Sequence, residues 1–254
     1  MVVTAPVLAA KRGERLFVEL ASSEDEVREA QALRYQVFGL EMGARLKGGE
    51  AGLDRDEFDP VCQHLLVRDS RTGRVVGCTR LLTDQAAARL GRFYSEGEFD
   101  LGPIPGLPGR KLEVGRTCVA AEFRQGSAIA VLWSGLAGFI YLHGFDYLFG
   151  CASVPLGERD LHAAAIMSRL RRQALAPEPF RVSPRVPLLT TQVPDGVDAP
   201  LPALLRAYVR LGAKACGEPC RDSDFGVGDV LMLLNIDELN PIYSRHFLER
   251  AADL

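Results

Sequence analysis

Residues Lys111 to Cys151 read KLEVGRTCVAAEFRQGSAIAVLWSGLAGFIYLHGFDYLFGC. The pattern predicts a strand over Lys111 to Val119, a glycine-containing turn over Arg124 to Ser127, an apolar helix over Ala128 to His143 and a second strand over Asp146 to Cys151. Strand, helix and strand in that order form a β-α-β unit, which predicts a parallel pair with a polar crevice at the strand ends where a ligand would sit. Within the first strand, Glu113-Val-Gly-Arg116 sets a carboxylate and a guanidinium three residues apart. Strand side chains alternate faces, so this offset puts the two on opposite sides of a regular strand. Gly115 between them suits a β-bulge that would bring both to one face. An ordinary edge-strand charge pair in solvent is the competing reading. The turn Phe123-Arg-Gln-Gly-Ser-Ala128 leads into the helix without proline, so its free N–H groups and the positive dipole end suit a phosphate. It is neither a Walker loop nor a GxGxxG turn.

Working outward, the 254 residues are 47% apolar, enough for one large domain with an elaboration, and the net charge of −3 gives no global case for nucleic acid. Six cysteines (62, 78, 118, 151, 216 and 220) are scattered through apolar runs and read as reduced core thiols of a cytoplasmic protein. Cys216 and Cys220 lack a second Cys/His pair nearby in sequence, so no metal site is expected. The N-terminus places apolar residues before its first basic pair, the reverse of a signal peptide. No uninterrupted run reaches the ~18 apolar residues of a membrane span.

A first strand is expected over Arg15 to Leu20. Ser23-Glu-Asp-Glu26 then reads as a capping box opening a helix through about Leu40. On that helix Leu33, Val37 and Leu40 form an apolar row, and Gln31, Arg34, Phe38 and Glu41 form a mixed row beside it, suited to lining a pocket or to a half-solvated boundary. Met42 to Pro60, ending Asp54-Arg-Asp56-Glu-Phe-Asp59, reads as a surface loop. His64 to Arg68 and Val75 to Leu82 read as a hairpin joined by Asp69 to Arg74. Arg80 shares an apolar strand face with Val76, Cys78 and Leu82, so it requires a carboxylate partner. Ala86 to Arg110 reads as a short helix and a Pro/Gly loop. Beyond Cys151 come an insertion at about 155–202 with a helix over Arg159 to Ala174 and a proline-rich connection, a helix over Ala203 to Leu211, a turn over Gly212 to Phe225, a strand over Asp229 to Ile236 and a final helix over Pro241 to Ala251.

The series Arg34-x3-Phe38, Asp56-x2-Asp59, Arg80 and Glu113-x2-Arg116 resembles the characteristic set of the acyl-homoserine-lactone synthases, members of the GNAT superfamily. From about Arg34 to Phe247 the chain resembles more closely the ornithine Nα-acyltransferases that make lyso-ornithine lipid. That match includes Phe58-Asp59-x4-His64-Leu, Glu113-Val-Gly-Arg116-x-Cys118-Val, Phe145-Asp-Tyr-Leu148, Tyr208-x3-Gly212-Ala213 and Asp224-Phe225. The resemblance implies a single α/β domain over 1–254. Its fold would be a GNAT-like three-layer one, with a central mixed, mostly antiparallel sheet flanked by helices and the helical, Pro-rich insertion at its side. It also implies transfer of a 3-hydroxy fatty acyl group from acyl carrier protein to the α-amine of L-ornithine. Glu113, Arg116 and Arg80 would be catalytic, and Arg34, Phe38, Asp56, Asp59, Cys118 and Val119 would line the substrates. Arg124, Gln125, Gly126 and Ser127 would hold the phosphopantetheine. The carrier's thioester is then a co-substrate, and no cofactor is implied.

Two departures sharpen the expectation. The superfamily's pyrophosphate turn carries Arg or Gln where this chain has Phe123, with Arg124 displaced by one, so coenzyme A should be held poorly and acyl carrier protein preferred. The tryptophan that lactone synthases carry after the Arg-x3-Phe helix is absent, since Trp133 is the chain's one tryptophan. An α-amine of pKa ~8 needs only modest help to lose its proton. Glu113 is the first choice of base, and backbone N–H groups at Val114 to Cys118 are the oxyanion donors. Arg116 and Arg80 would organise the site or hold the amino-acid carboxylate. Asp56 and Asp59 would take the δ-ammonium of ornithine, or only pin their loop. The Cys118 thiol reads as inert. A quorum-signal synthase and a non-catalytic acyl-carrier or lipid-binding protein are the alternatives. Arg124, Arg169, Arg171 and Arg172 are the expected contacts to an acidic carrier. Within the insertion from Leu161 to Val193, Arg169, Arg171, Arg172, Arg181 and Arg185 interleave with Leu170, Leu175, Phe180, Val186, Leu188 and Leu189. That pattern suits peripheral contact with the inner face of the membrane, or packing on the sheet with a solvated outside.

Overall fold

A computed structural model describes residues 15–46, 52–189, 192–193 and 198–239. In chain order the elements are β1 (Leu16–Leu20), α1 (Glu24–Arg34), β2 (Gln63–Asp69), β3 (Val75–Thr83), α2 (Asp84–Leu90), β4 (Phe99–Asp100) and β5 (Lys111–Val119). They continue with α3 (Ala128–His143), β6 (Tyr147–Pro155), α4 (Leu161–Gln173), β7 (Ser183–Pro184), α5 (Ala203–Leu211), β8 (Lys214–Ala215), β9 (Cys220–Asp222) and β10 (Val227–Asn235). The chain forms two compact units. One comprises the described residues up to Ala86 together with Val114–Gly144, the other Ala87–Glu113 and the described residues from Phe145 onward.

In the first unit the strands run β1-β2-β3-β5. β1 and β2 are antiparallel from Leu16↔Asp69 to Leu20↔Leu65, and β2 and β3 are antiparallel with a register shift between Val67 and Arg68. α1 starts where the sequence signals: Ser23 accepts from the Glu26 N–H, and the Glu26 carboxylate accepts from the Ser23 N–H in return. The helix then widens into a π-helical turn over Tyr35–Glu41, in which the Met42 N–H reaches back to the Val37 carbonyl at 3.1 Å. α3 lies on β1, β2 and β3, and Gly144 ends it at φ 63°, a left-handed cap that glycine adopts freely. Its close approach to β1 depends on Gly135, where a Cβ would lie 2.5 Å from Val18 Cγ2. Gly135→Ala should therefore lower stability by about 1–3 kcal/mol through overpacking, visible as a lower thermal midpoint. An unchanged midpoint would mean that Val18 yields freely.

In the second unit β6 and β10 are antiparallel over the full span Val227↔Pro155 to Asn235↔Tyr147, and β10 also pairs with β8 and β9. β5 enters this unit through Lys111–Glu113, which pair in parallel with Tyr147–Phe149. The expected parallel pair therefore exists and is three residue pairs long. β4 and β7 form a separate two-stranded ladder, Phe99↔Pro184 and Asp100↔Ser183. The core beneath includes Ile166, Met167 and Leu170 of α4, Leu205 of α5 and Val230 of β10. The pairing is mixed and mostly antiparallel, as expected.

Three expectations change or fall outside the description. The loop before β2 is not wholly at the surface, because Asp54, Phe58 and Asp59 are buried. The turn after α5 contains the short strands β8 and β9. The helix anticipated over Pro241 to Ala251 lies outside the described residues. All six cysteines are free thiols, and Cys151 alone among them is half-buried rather than buried.

Candidate active site

In the first unit Gln31 and Arg34 of the mixed row turn inward onto the Asp54–Asp59 loop, while Glu41 stays exposed. Arg34, 1% exposed, is the centre. Its Nε donates to Asp54 Oδ2 at 2.8 Å, while Nη1 and Nη2 make a bidentate pair with Asp59 at 2.9 Å each. Nη2 also donates to the Asp54 carbonyl at 2.5 Å, and Gln31 Nε2 adds a contact to Asp59 Oδ2 at 3.2 Å. From the sheet side, Arg80 on β3 reaches Asp56 at 2.6 Å and Asp59 at 3.1 Å, with its guanidinium 5.5 Å from the Phe58 ring centroid. Arg116 on β5 completes the set, its Nε 3.2 Å from Asp54 Oδ2 and its Nη2 3.8 Å from Asp56 Oδ2.

Three guanidinium groups thus face three carboxylates, and the charges cancel. Burial alone would raise the Asp59 pKa, but the hydrogen bonds and charge of Arg34, with the charge of Arg80, outweigh it and hold this carboxyl well below its usual range. Burial opposes the charge on Arg34 and Arg80 as well, and their aspartate partners reverse it, raising both. His64, whose Nε2 lies 3.0 Å from the Asp59 carbonyl, is pushed down by burial.

The irregular step expected near Gly115 is present one residue later: Arg116 has φ 52°, a left-handed backbone in a non-glycine residue, directly after Gly115. Such a step aims successive N–H groups away from a regular ladder. Cys118 lies 3.6 Å, sulfur to sulfur, from Cys78, and this contact together with burial raises its pKa well above the ordinary thiol value. A thiol held protonated in this way is a weak nucleophile. Val119 is buried beside it, and Phe38 is buried in the π-helical turn. In the turn before α3, Arg124 donates to the Val119 carbonyl at 2.9 Å and pairs with Glu41 at 2.5 Å. Gly126 N–H closes on the Phe123 carbonyl at 3.2 Å, and Ser127 stands as the α3 N-cap without a side-chain cap bond.

In the second unit Glu113, 2% exposed, sits at the end of the parallel ladder. Its carboxylate accepts from the Tyr94 N–H at 2.7 Å, the Ser95 N–H at 2.7 Å and the Ser95 hydroxyl. Ser95 Oγ is also 3.3 Å from Cys151 Sγ, which donates in turn to Glu98 Oε2 at 3.4 Å. Glu98 gathers with Asp222 and Asp229, their oxygens within 4.8 Å of one another. Burial, with the charges of Asp229 and Asp222 acting in the same direction, pushes the Glu98 carboxyl up to about 9.

The structure therefore brings Arg34, Arg80, Arg116, Asp56 and Asp59 into one network and gives Glu113 its own set of donors. Asp59 is engaged by both Arg34 and Arg80, and Asp56 by Arg80. Sequence reading missed Asp54, although it stands in the quoted Asp54-Arg-Asp56 run. It also missed Tyr94 and Ser95, for which no signal exists because two of the three donors to Glu113 are backbone.

Residues 33–134 match the family model described as an acetyltransferase (GNAT) domain. The L-ornithine N(alpha)-acyltransferase of Rhizobium meliloti (strain 1021) is 35% identical over 249 residues, covering 91% of this chain and 84% of the relative. The enzyme of the same name from Rhodobacter capsulatus is 34% identical over 250 residues, covering 92% of this chain and 95% of the relative. Among solved structures, the CoA-dependent acyl-homoserine lactone synthase BjaI aligns with TM-score 0.55 at 14% identity, over 93% of this chain and 90% of that one. FeeM, an N-acyl amino acid synthase from uncultured soil microbes, aligns with TM-score 0.52 at 11% identity, over 88% and 92%. Those two likenesses establish the shared fold, and the closer identities establish the kinship: the chain is an N-acyltransferase that belongs to the family of L-ornithine Nα-acyltransferases with a GNAT fold.

Proposed function

We propose that the protein transfers a long, 3-hydroxylated fatty acyl group from the phosphopantetheine thioester of acyl carrier protein to the α-amine of L-ornithine, giving lyso-ornithine lipid. The observation that carries this reading is the one-third identity to enzymes named for ornithine acylation over nine-tenths of the chain. In this mechanism Glu113 removes the ammonium proton, directly or through one water, and the free amine attacks the thioester carbonyl. Charge gathers on the carbonyl oxygen, and N–H groups at Val114 to Cys118 are its donors. The C–S bond then breaks and the carrier thiol leaves with a proton. Arg116, Arg80 and Arg34, locked to Asp54, Asp56 and Asp59, hold the strand and loop in place. Arg124, Gln125, Gly126 and Ser127 take the single phosphate of the carrier arm.

The test is direct. Purified protein given 3-hydroxyacyl carrier protein and either L-ornithine or S-adenosylmethionine should release an acyl-ornithine by mass spectrometry. A homoserine lactone would mark a quorum-signal synthase, and no product a binding protein. Because Phe123 stands where a basic or amide side chain would meet a second phosphate, kcat/KM should be at least tenfold higher for the carrier thioester than for the same chain on coenzyme A. Equal values would remove the carrier from this reading. Carrier proteins of this kind are acidic, so turnover with the carrier should fall as salt rises.

The reaction belongs in the cytoplasm, at the inner face of the membrane, since moving a fatty product into water costs about 0.8 kcal/mol per methylene. Among the described residues no helix is long and apolar enough to cross a membrane. Support for peripheral contact narrows to Val186 and Leu189, 49% and 77% exposed, because Leu170 and Leu188 lie in the core. Arg169 pairs with Asp198 and Arg171 with Glu218, which leaves Arg172, bonded only to Ser168 at 3.0 Å among the contacts described, as the outermost cation of α4. Flotation with anionic vesicles should retain the protein and release it on Leu189→Asp. Retention by neither form would place product release elsewhere.

A further inference from the structure

We propose that Ser95 is a positioning residue for Glu113, and that the insertion holds Ser95 in place through Arg185. The inference rests on the reading of Glu113 as the base. Among the contacts described, three donors reach that carboxylate, and all three come from two consecutive residues of one short turn, Tyr94 and Ser95. Ser95 is fully buried. The turn is closed on itself: the Glu96 carboxylate accepts from the Phe93 N–H at 2.6 Å, and the Glu98 N–H reaches the Ser95 carbonyl at 3.0 Å.

The insertion grips the same turn from its other end. Arg185 Nε donates to the Glu96 carbonyl at 2.7 Å, and the Arg185 N–H donates to the Glu98 carbonyl at 2.8 Å. Immediately after, Phe99 and Asp100 pair with Pro184 and Ser183. Phe93, just before the turn, packs edge-on against Phe149 with centroids 5.0 Å apart, and Phe149 is the strand partner of Glu113. The insertion segment, the turn and the carboxylate thus form one chain of contacts inside the second unit.

The backbone donors orient the carboxylate, whereas the hydroxyl adds a charge-assisted bond that any residue other than Ser or Thr would lose. Among the contacts described, the Cys151 thiol on β6 lies against the same Ser95 hydroxyl, and Cys151 and Glu113 feel each other's charge. Hydrogen bonds donated by Tyr94 and Ser95 favour the negative form of Glu113.

The test compares pH profiles of acyl transfer to ornithine for the wild type, Ser95→Ala, Ser95→Thr, Arg185→Met and Glu113→Gln. Ser95→Ala keeps both backbone donors and should fold. It should lower kcat about tenfold with the KM for ornithine nearly unchanged, and move the acidic limb of kcat/KM upward by about one pH unit. Ser95→Thr should restore the limb. Arg185→Met, at an exposed position, should move the limb in the same direction by less. If Glu113→Gln is inactive at neutral pH but Ser95→Ala leaves the limb where it was, Ser95 is merely structural and the positioning role falls while the base remains. A wild-type profile for Arg185→Met would remove the insertion from the device. A fully active Glu113→Gln would overturn the base and this inference together.

Discussion

Arg34→Ala is expected to lower stability by about 3–5 kcal/mol, the usual cost of removing one partner from a buried charge network. For a chain of this size that is a fall of roughly 6–20 °C in thermal midpoint. The reason lies in what is left behind. Asp54 and Asp59 are both buried, and each loses its shortest guanidinium contact at once. Arg80 and Arg116 remain, so the loop keeps part of its anchor but carries one excess negative charge. The same network sets a pH dependence. Asp59 is held below its unfolded value, so its contribution is fully present above about pH 4 and is lost as acid titrates the folded carboxyl. Denaturant midpoints for the wild type should therefore fall between pH 6 and pH 3, and Arg34→Ala should show a shallower fall. A variant as stable as the wild type at pH 7 would mean that the carboxylates find water or each other without cost.

Glu113→Gln should reduce kcat by about 10²–10⁴-fold at neutral pH, the range that general-base removal produces. The substitution has a second consequence, because an amide turns one acceptor oxygen into an NH2 that must face the donors of Tyr94 or Ser95. Loss of the base and loosening of the turn are separable by raising the pH. An α-amine of pKa about 8 deprotonates unaided in alkaline buffer, so a variant lacking only the base regains rate there. A variant that stays inactive up to pH 10 with an unaltered melting curve would assign Glu113 to holding the turn.

Local grammar made much of the fold legible. The bounds of α3 and α5 follow from an apolar run closed by Gly144 and from the Ala203–Leu211 pattern closed by Gly212, and both agree with the structure residue for residue. The Ser23–Glu26 box marked the start of α1, and the burial of Arg80 on an apolar strand face required the carboxylates that Asp56 and Asp59 supply. What was illegible is of another kind. β8 and β9 are two and three residues long, too short for any periodicity, and exist because β10 offers them a neighbour. Asp54 looks like any loop aspartate until Arg34 is seen folded over it. The donors to Glu113 come mostly from main chain, whose polarity every residue shares and no sequence displays.

The π-helical turn over Tyr35–Glu41 is, in counting terms, an α-helix holding one residue too many. Deleting a single residue between Tyr35 and Leu40 would let ordinary winding resume with the positions beyond kept near their present sides of the axis, whereas the same deletion within α1 would turn each of them by about 100°. Glu41 would then leave Arg124, and buried Val37 and Phe38 would leave their places. The π turn is thus the one stretch of this helix where a residue can be lost at the cost of the local widening alone.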